Sequence, residues 1–188
     1  MSKSKQIVII EDDWKHFQVI KSLLLDINSS YKILPLCDSK EDFNKFNTRL
    51  IRSLDSTKKN FQTDKNAFAK ELSDFGEISL YVIDHVLKPD NTTLTGTCFY
   101  KQNDITVPSL FLTISTQATI SHEIRRITNH DALRKPEEWE GKNKTVEQIK
   151  QVDTNFNELF KAEIKNLLGI TEEKEQKKKS KTRTVGKI

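Results

Sequence analysis

Short continuous apolar runs alternate along the chain with stretches in which apolar residues recur every three or four positions. Residues 6–10, Gln-Ile-Val-Ile-Ile, form the first run, closed by Glu11-Asp12-Asp13. A run of this length bounded by acids predicts a strand buried on both faces, as in a parallel sheet. Phe17, Ile20, Leu24 and Ile27 then share one helix face, with Asp13 as its N-cap. Further strands are predicted at Tyr31–Leu36, at Ile78–Ile83 running into Asp84, at Val107–Ile114, and weakly at Asp131–Lys135. Phe43, Phe46, Leu50 and Leu54 keep helical phase after the second strand, and Phe61, Phe68, Leu72 and Phe75 continue it. Asp55-Ser56-Thr57 interrupts that phase, so two helices are predicted there rather than one rod. Helices are also predicted near Gly96–Gln102 and over 117–128. Thr145 to Leu168 predicts one long amphipathic helix whose end overhangs the sheet. Strands alternating with helices predict an α/β fold, a parallel sheet with right-handed crossovers. The domain is expected over 1–170, with a helical insertion at about 55–77.

Composition narrows the classes. Hydrophobic residues make up 35% of the 188 and charged residues 31%, a polar balance for a globular chain. The net charge of +4 is concentrated at one end. Residues 171–188 hold seven basic and three acidic side chains, leaving 24 of each sign in the body. A basic disordered tail is therefore expected at 171–188, and nucleic-acid binding only through it, if at all. No run is long enough for a membrane span and none has a signal-peptide core. Two distant cysteines, Cys37 and Cys98, exclude a disulfide framework or zinc-finger spacing, fit a cytoplasmic location, and read as small buried hydrophobes. The five glycines form no phosphate-binding loop, and the four histidines form no HExxH. His16, His122 and His130 read as surface residues and His85 as an exposed loop residue.

In open parallel sheets the ligand site lies at the carboxyl ends of the strands. That rule gathers Glu11-Asp12-Asp13 from strand one, Asp84 from strand three, Thr113 from strand four and Lys135-Pro136 from strand five. Clustered carboxylates suit a hard cation such as Mg2+. A carboxylate can also act as a nucleophile toward phosphorus, and the hydroxyl and ammonium can meet the developing charge. The set reads as a phosphoryl-accepting site.

These residues resemble the receiver domains of two-component response regulators. The resemblance is carried by IVIIEDD, by the aspartate of LYVIDHVLKP, by VPSLFLT, and by the RKP whose lysine lies 22 residues after the threonine. It runs over about residues 5–168. It implies a doubly wound (βα)5 fold with strand order 2-1-3-4-5. It implies that Asp84 accepts the phosphoryl group, and that Asp12 binds Mg2+ directly while Glu11 acts through water. Val86 would offer a backbone carbonyl to the metal, Thr113 would bond a phosphoryl oxygen, Lys135 would pair with the phosphate, and the Lys135–Pro136 bond would be cis. The partner would be a histidine kinase or phosphotransfer protein, and the chain a stand-alone receiver with at most self-phosphorylation and self-dephosphorylation activity. It departs from receivers in the long segment before Asp84, the long loop after it, Ile114 after the threonine, and Ala132 where an aromatic is frequent. Those departures leave a pseudo-receiver binding module as an alternative. An aspartate-based phosphohydrolase of the haloacid dehalogenase type ranks lower, because Val86 stands where its second aspartate belongs. The Phe-rich stripe and the final helix are expected to pack on the domain, in a homodimer or against a partner.

Overall fold

The computed structural model describes residues 4–87, 94–114, 118–140 and 144–170. Five strands, β1 (Gln6–Ile10), β2 (Lys32–Leu34), β3 (Ile78–Asp84), β4 (Ser109–Thr113) and β5 (Leu133–Arg134), form one parallel sheet in the order β2-β1-β3-β4-β5. Seven helices connect and cover them among the described residues. These are α1 (Trp14–Ile27), α2 (Lys40–Leu54), α3 (Phe61–Phe75), α4 (Gly96–Gln102), α5 (Ala118–Thr128), α6 (Val146–Val152) and α7 (Thr154–Leu167), with a 3-10 turn at Glu137–Glu140.

The continuous apolar runs have the reason expected of a doubly covered sheet: alternate residues feed two cores. Ile7, Ile9, Leu80, Val82, Leu110 and Leu112 pack with Phe17, Leu24, Phe156 and Phe160 of α1 and α7. Val8, Ile10, Tyr81, Ile83 and Phe111 pack with residues of α2, α3, α4 and α5 on the opposite face. Register aligns the strand ends: Ile10 lies beside Ile83, Asp84 beside Leu112, and Thr113 beside Arg134. Glu11, Asp84 and Lys135 therefore leave three strands at the same edge.

Both α2 and α3 lie between β2 and β3, so the insertion is a second helix laid on the first. Ser39 starts α2 by accepting the Asp42 N–H, and Gly76 closes α3 at a φ of 107° that favours glycine. Phe68 is 1% exposed and its ring lies 5.4 Å from Phe46 and 6.3 Å from Phe99. Arg49 of α2 and Glu71 of α3 add a two-pronged ion pair at 2.7 and 2.9 Å. Phe68 and Leu72 of the Phe-rich stripe are thus buried within the chain, as Phe160 is, while Phe61 and Phe75 are half-buried.

Three expectations are corrected. The helix predicted over 145–168 is two helices, broken at Asp153, whose carboxylate turns to accept the Phe156 N–H at 2.8 Å and caps α7. The break lets α6 and α7 both lie against α1, so no single rod overhangs the sheet. Strand two stops at Leu34, because Pro35 brings no N–H to a ladder, and Leu36 is exposed. The cis bond is Leu34–Pro35, and Lys135–Pro136 is not cis. Lys135 instead extends the strand ladder, donating its N–H to the Thr113 carbonyl at 2.8 Å. The basic tail expected at 171–188 lies outside the described residues. No helix among the described residues is long and apolar enough to cross a membrane.

Removing the Phe68 ring should leave a cavity under α3. Phe68→Ala is expected to cost about 3–5 kcal/mol of unfolding free energy, measured by urea titration. A loss under about 1 kcal/mol would show that α3 is not fixed to the sheet.

Candidate functional site

At the edge where β1, β3 and β5 end, one ammonium sits among carboxylates. The Lys135 Nζ lies 2.9 Å from Asp84 Oδ2 and 3.2 Å from Glu11 Oε2. Lys135 and Glu11 are each 1% exposed and Asp84 3%. The partners are 51 and 124 residues distant in sequence, and the parallel sheet alone brings them together.

Local structure fixes each group. Glu11 Oε1 accepts the N–H groups of Asp12 and Asp13, both at 3.2 Å, as the chain turns from β1 into α1. Asp13 caps that helix, accepting the His16 N–H at 2.9 Å, as its position predicted. Asn47 of α2 donates to the Asp12 carbonyl at 3.2 Å and steadies the turn from the other side. Beyond Asp84, the Gly96 N–H bonds the His85 carbonyl at 2.8 Å. A side chain at Gly96 would put its Cβ 2.2 Å from the Asp84 carbonyl oxygen, so the approach of α4 to the site requires glycine. Val86 pairs with Thr95 in an isolated antiparallel bridge two residues past Asp84. Thr113 is buried at the end of β4.

Glu11, Asp12 and Asp84 each bring a carboxylate oxygen within 4.8 Å of the others, a spacing that fits a cation. Asp84 Oδ1 is buried and has no hydrogen-bond partner among the described residues, the kind of orphaned acceptor a bound ion satisfies. Oxygen donors of this charge suit a hard cation.

The charges are unequal because their surroundings are. Burial opposes ionisation of Glu11, but Lys135 beside it, helped by the Asp13 N–H, outweighs that and brings its carboxyl down to about 2. Burial, then the Glu11 charge, pushes Asp84 well above the ordinary carboxylate range despite Lys135. The same two causes raise Asp12 to about 7. Burial disfavours the Lys135 ammonium, yet Glu11 and Asp84 hold its pKa above the ordinary lysine value. One ammonium cannot neutralise three carboxylates, so the protons are held where the charge is least supported.

The structure brings together Glu11, Asp12, Asp84 and Lys135, with Thr113 on the neighbouring strand end. Two histidines differ from expectation. His16 is 7% exposed, with Nδ1 3.4 Å from Lys135 Nζ and its ring 5.4 Å from Trp139. Its position in the first turn of α1 was the available signal, since the first turn of a helix after β1 faces the same edge. His85 is buried rather than loop-exposed, its Nδ1 has no hydrogen-bond partner among the described residues, and burial lowers its pKa.

Strand order, parallel pairing and helices on both faces define a doubly wound α/β domain with the 2-1-3-4-5 topology. No family model matches the chain, and no curated protein matches it. Among solved structures, it is similar to a response regulator from Thermotoga maritima, at 8% identity and a TM-score of 0.45, over 89% of this chain and 99% of that one. It is also similar to the signal receiver domain of a protein assigned as a Luxo repressor from Vibrio parahaemolyticus. There the identity is 14% and the TM-score 0.42, over 86% of this chain and 95% of the other. A fusion carrying a yeast Spc42 trimeric coiled coil is 17% identical with a TM-score of 0.45, over 98% and 95% of the two chains.

Two carboxylates should respond oppositely to pH. Asp12 is raised from an unfolded value near ~4 to about 7, so its ionisation in the folded state costs stability that grows as pH climbs through that window. Asp12→Asn should raise the unfolding temperature at pH 8 in chelator and change it little at pH 4. Glu11 is lowered to about 2, so its contribution is complete above its unfolded value and fades as pH falls toward 2. Glu11→Gln should destabilise at pH 7 and progressively less in acid. Calorimetry across this range checks both, and the same sign for the two variants at pH 8 would refute the division.

Proposed function

We propose that this chain is a receiver of the two-component type, accepting a phosphoryl group on Asp84 from a phosphohistidine of a histidine kinase or phosphotransfer protein. The observation that carries the reading is the Lys135–Asp84 ion pair of 2.9 Å, buried beside two further carboxylates, with Asp84 Oδ1 unpartnered among the described residues. One Asp84 oxygen is the nucleophile and the other stays with the cation. The new bond joins the nucleophilic oxygen to phosphorus, the phosphorus–nitrogen bond of the donor breaks, and the donor imidazole keeps that electron pair and takes up a proton. Lys135 and the Thr113 hydroxyl meet the phosphoryl oxygens.

Asp12, Asp84 and the Val86 carbonyl would hold Mg2+, with Glu11 acting through water because both its oxygens are engaged. The ion supplies the charge that lets Asp12 and Asp84 ionise together. A second reading, a receiver-like binding module without turnover, is favoured by the burial of Oδ1.

Incubation of the full chain with acetyl phosphate and Mg2+, followed by intact mass, separates the readings. One added phosphoryl group, lost in Asp84→Asn, is expected. No addition supports the binding module, and undiminished addition in Asp84→Asn refutes the site. Mg2+ titration should show weak binding that Asp12→Ala largely removes. Asp13→Ala should retain it and cost about 0.5–2 kcal/mol of stability as a lost helix cap. Equal loss of metal in both variants would overturn that division.

A further inference from the structure

We infer that His16 is a positioning residue for Lys135, its Nδ1 serving as the third acceptor that keeps the buried ammonium aimed at Asp84. The consequence for phosphoryl transfer rests on the function proposed above; the contact itself does not. An ammonium has three N–H donors and no lone pair, and inside a protein those donors need acceptors. Around Lys135 Nζ there is one acceptor for each: Asp84 Oδ2 at 2.9 Å, Glu11 Oε2 at 3.2 Å and His16 Nδ1 at 3.4 Å. Because the ammonium only donates, the ring nitrogen facing it carries the lone pair, and the ring proton belongs on Nε2. The competing arrangement, Nδ1–H aimed at Glu11 Oε1, is long at 3.7 Å. It would also set a proton against the ammonium, and that oxygen already receives two backbone N–H groups.

The ring is well placed for the task. Its backbone N–H is fixed by the Asp13 cap at 2.9 Å, and Trp139, 2% exposed, packs tilted against its ring and edge-on to Phe156. Helix α1 and the 3-10 turn thus place Nδ1 beside the ammonium. When Asp84 is modified, the contact with Oδ2 must change. Glu11 and His16 then continue to hold Lys135.

The test measures the rate of acetyl phosphate modification by intact mass, with Mg2+ and the full chain. His16→Phe keeps a ring against Trp139 but removes the acceptor, and should slow modification about tenfold, the scale of a lost hydrogen bond to a charged group. His16→Asn, whose amide oxygen falls near the Nδ1 position, should recover most of the rate, and His16→Gln, which reaches further, should not. A folded His16→Phe modified at the wild-type rate overturns the inference. If His16→Phe does not fold, equal rates for His16→Asn and His16→Gln overturn it. Nitrogen-15 spectra of the ring give an independent readout: an unprotonated Nδ1 is expected, and a proton on Nδ1 overturns the contact. A wild-type chain that takes no phosphoryl group refutes the proposed function, while the ring spectrum still decides the His16–Lys135 contact.

Discussion

The buried Lys135 ammonium is the interaction on which the rest of the site depends. It joins the ends of β1, β3 and β5 through Glu11 and Asp84, which the parallel sheet brings to one edge. Removing charges from water is expensive, and their mutual attraction repays it only with good geometry and further hydrogen bonds. Glu11 meets that condition, because two backbone N–H groups and the ammonium share its two oxygens. Asp84 does not, because Oδ1 has no partner among the described residues. The incompletely satisfied group is the one best suited to react or to bind an ion, since it has the most to gain from a new positive neighbour.

The sheet makes this arrangement possible and constrains it. Parallel strands must be joined by crossovers, so every strand end at this edge is followed by a loop and a helix start. Side chains alternate across the sheet, so Asp84 follows the phase of Val82 and Leu80, toward α1, while His85 follows that of Ile83. A shift of one residue in the β1–β3 register would move Asp84 away from Lys135 and place it against the aromatic core around Phe99. From the α4 side, Gly96 approaches the Asp84 carbonyl so closely that no side chain fits there.

Much of this was legible in the sequence, and the reasons for the rest are specific. The strands read as apolar runs because both faces of the sheet are covered, and the site residues could be gathered because they directly follow those runs. The division of α2 from α3 was visible in Asp55-Ser56-Thr57. The break at Asp153 was not, because apolar periodicity continues through it from Ile149 to Phe156, and a single carboxylate capping the next helix decides the outcome. His16 and His85 were misplaced for a common reason. Periodicity locates a residue along a helix or loop, but burial here is set by Trp139 and α5, which arrive from distant parts of the chain. The cis bond at Leu34–Pro35, in place of Lys135–Pro136, likewise carried no local sign.

Three carboxylates of nearly identical chemistry take three different conditions at this edge, and their surroundings assign them. Glu11 is enclosed and fully bonded, so it stays ionised and acts as the fixed counter-charge of Lys135. Asp84 is enclosed but incompletely bonded, and it yields to the Glu11 charge next to it. Asp12 is only partly buried, its backbone tied by Asn47, and it feels Glu11 more than Lys135. Any added positive charge would therefore act first on Asp12 and Asp84, whose ionisation is suppressed, and least on Glu11, whose ionisation is already complete. That ordering follows from burial and distance alone. It gives the two carboxylates with raised pKa values the part of responding to a cation, and the third the part of holding the lysine while they do.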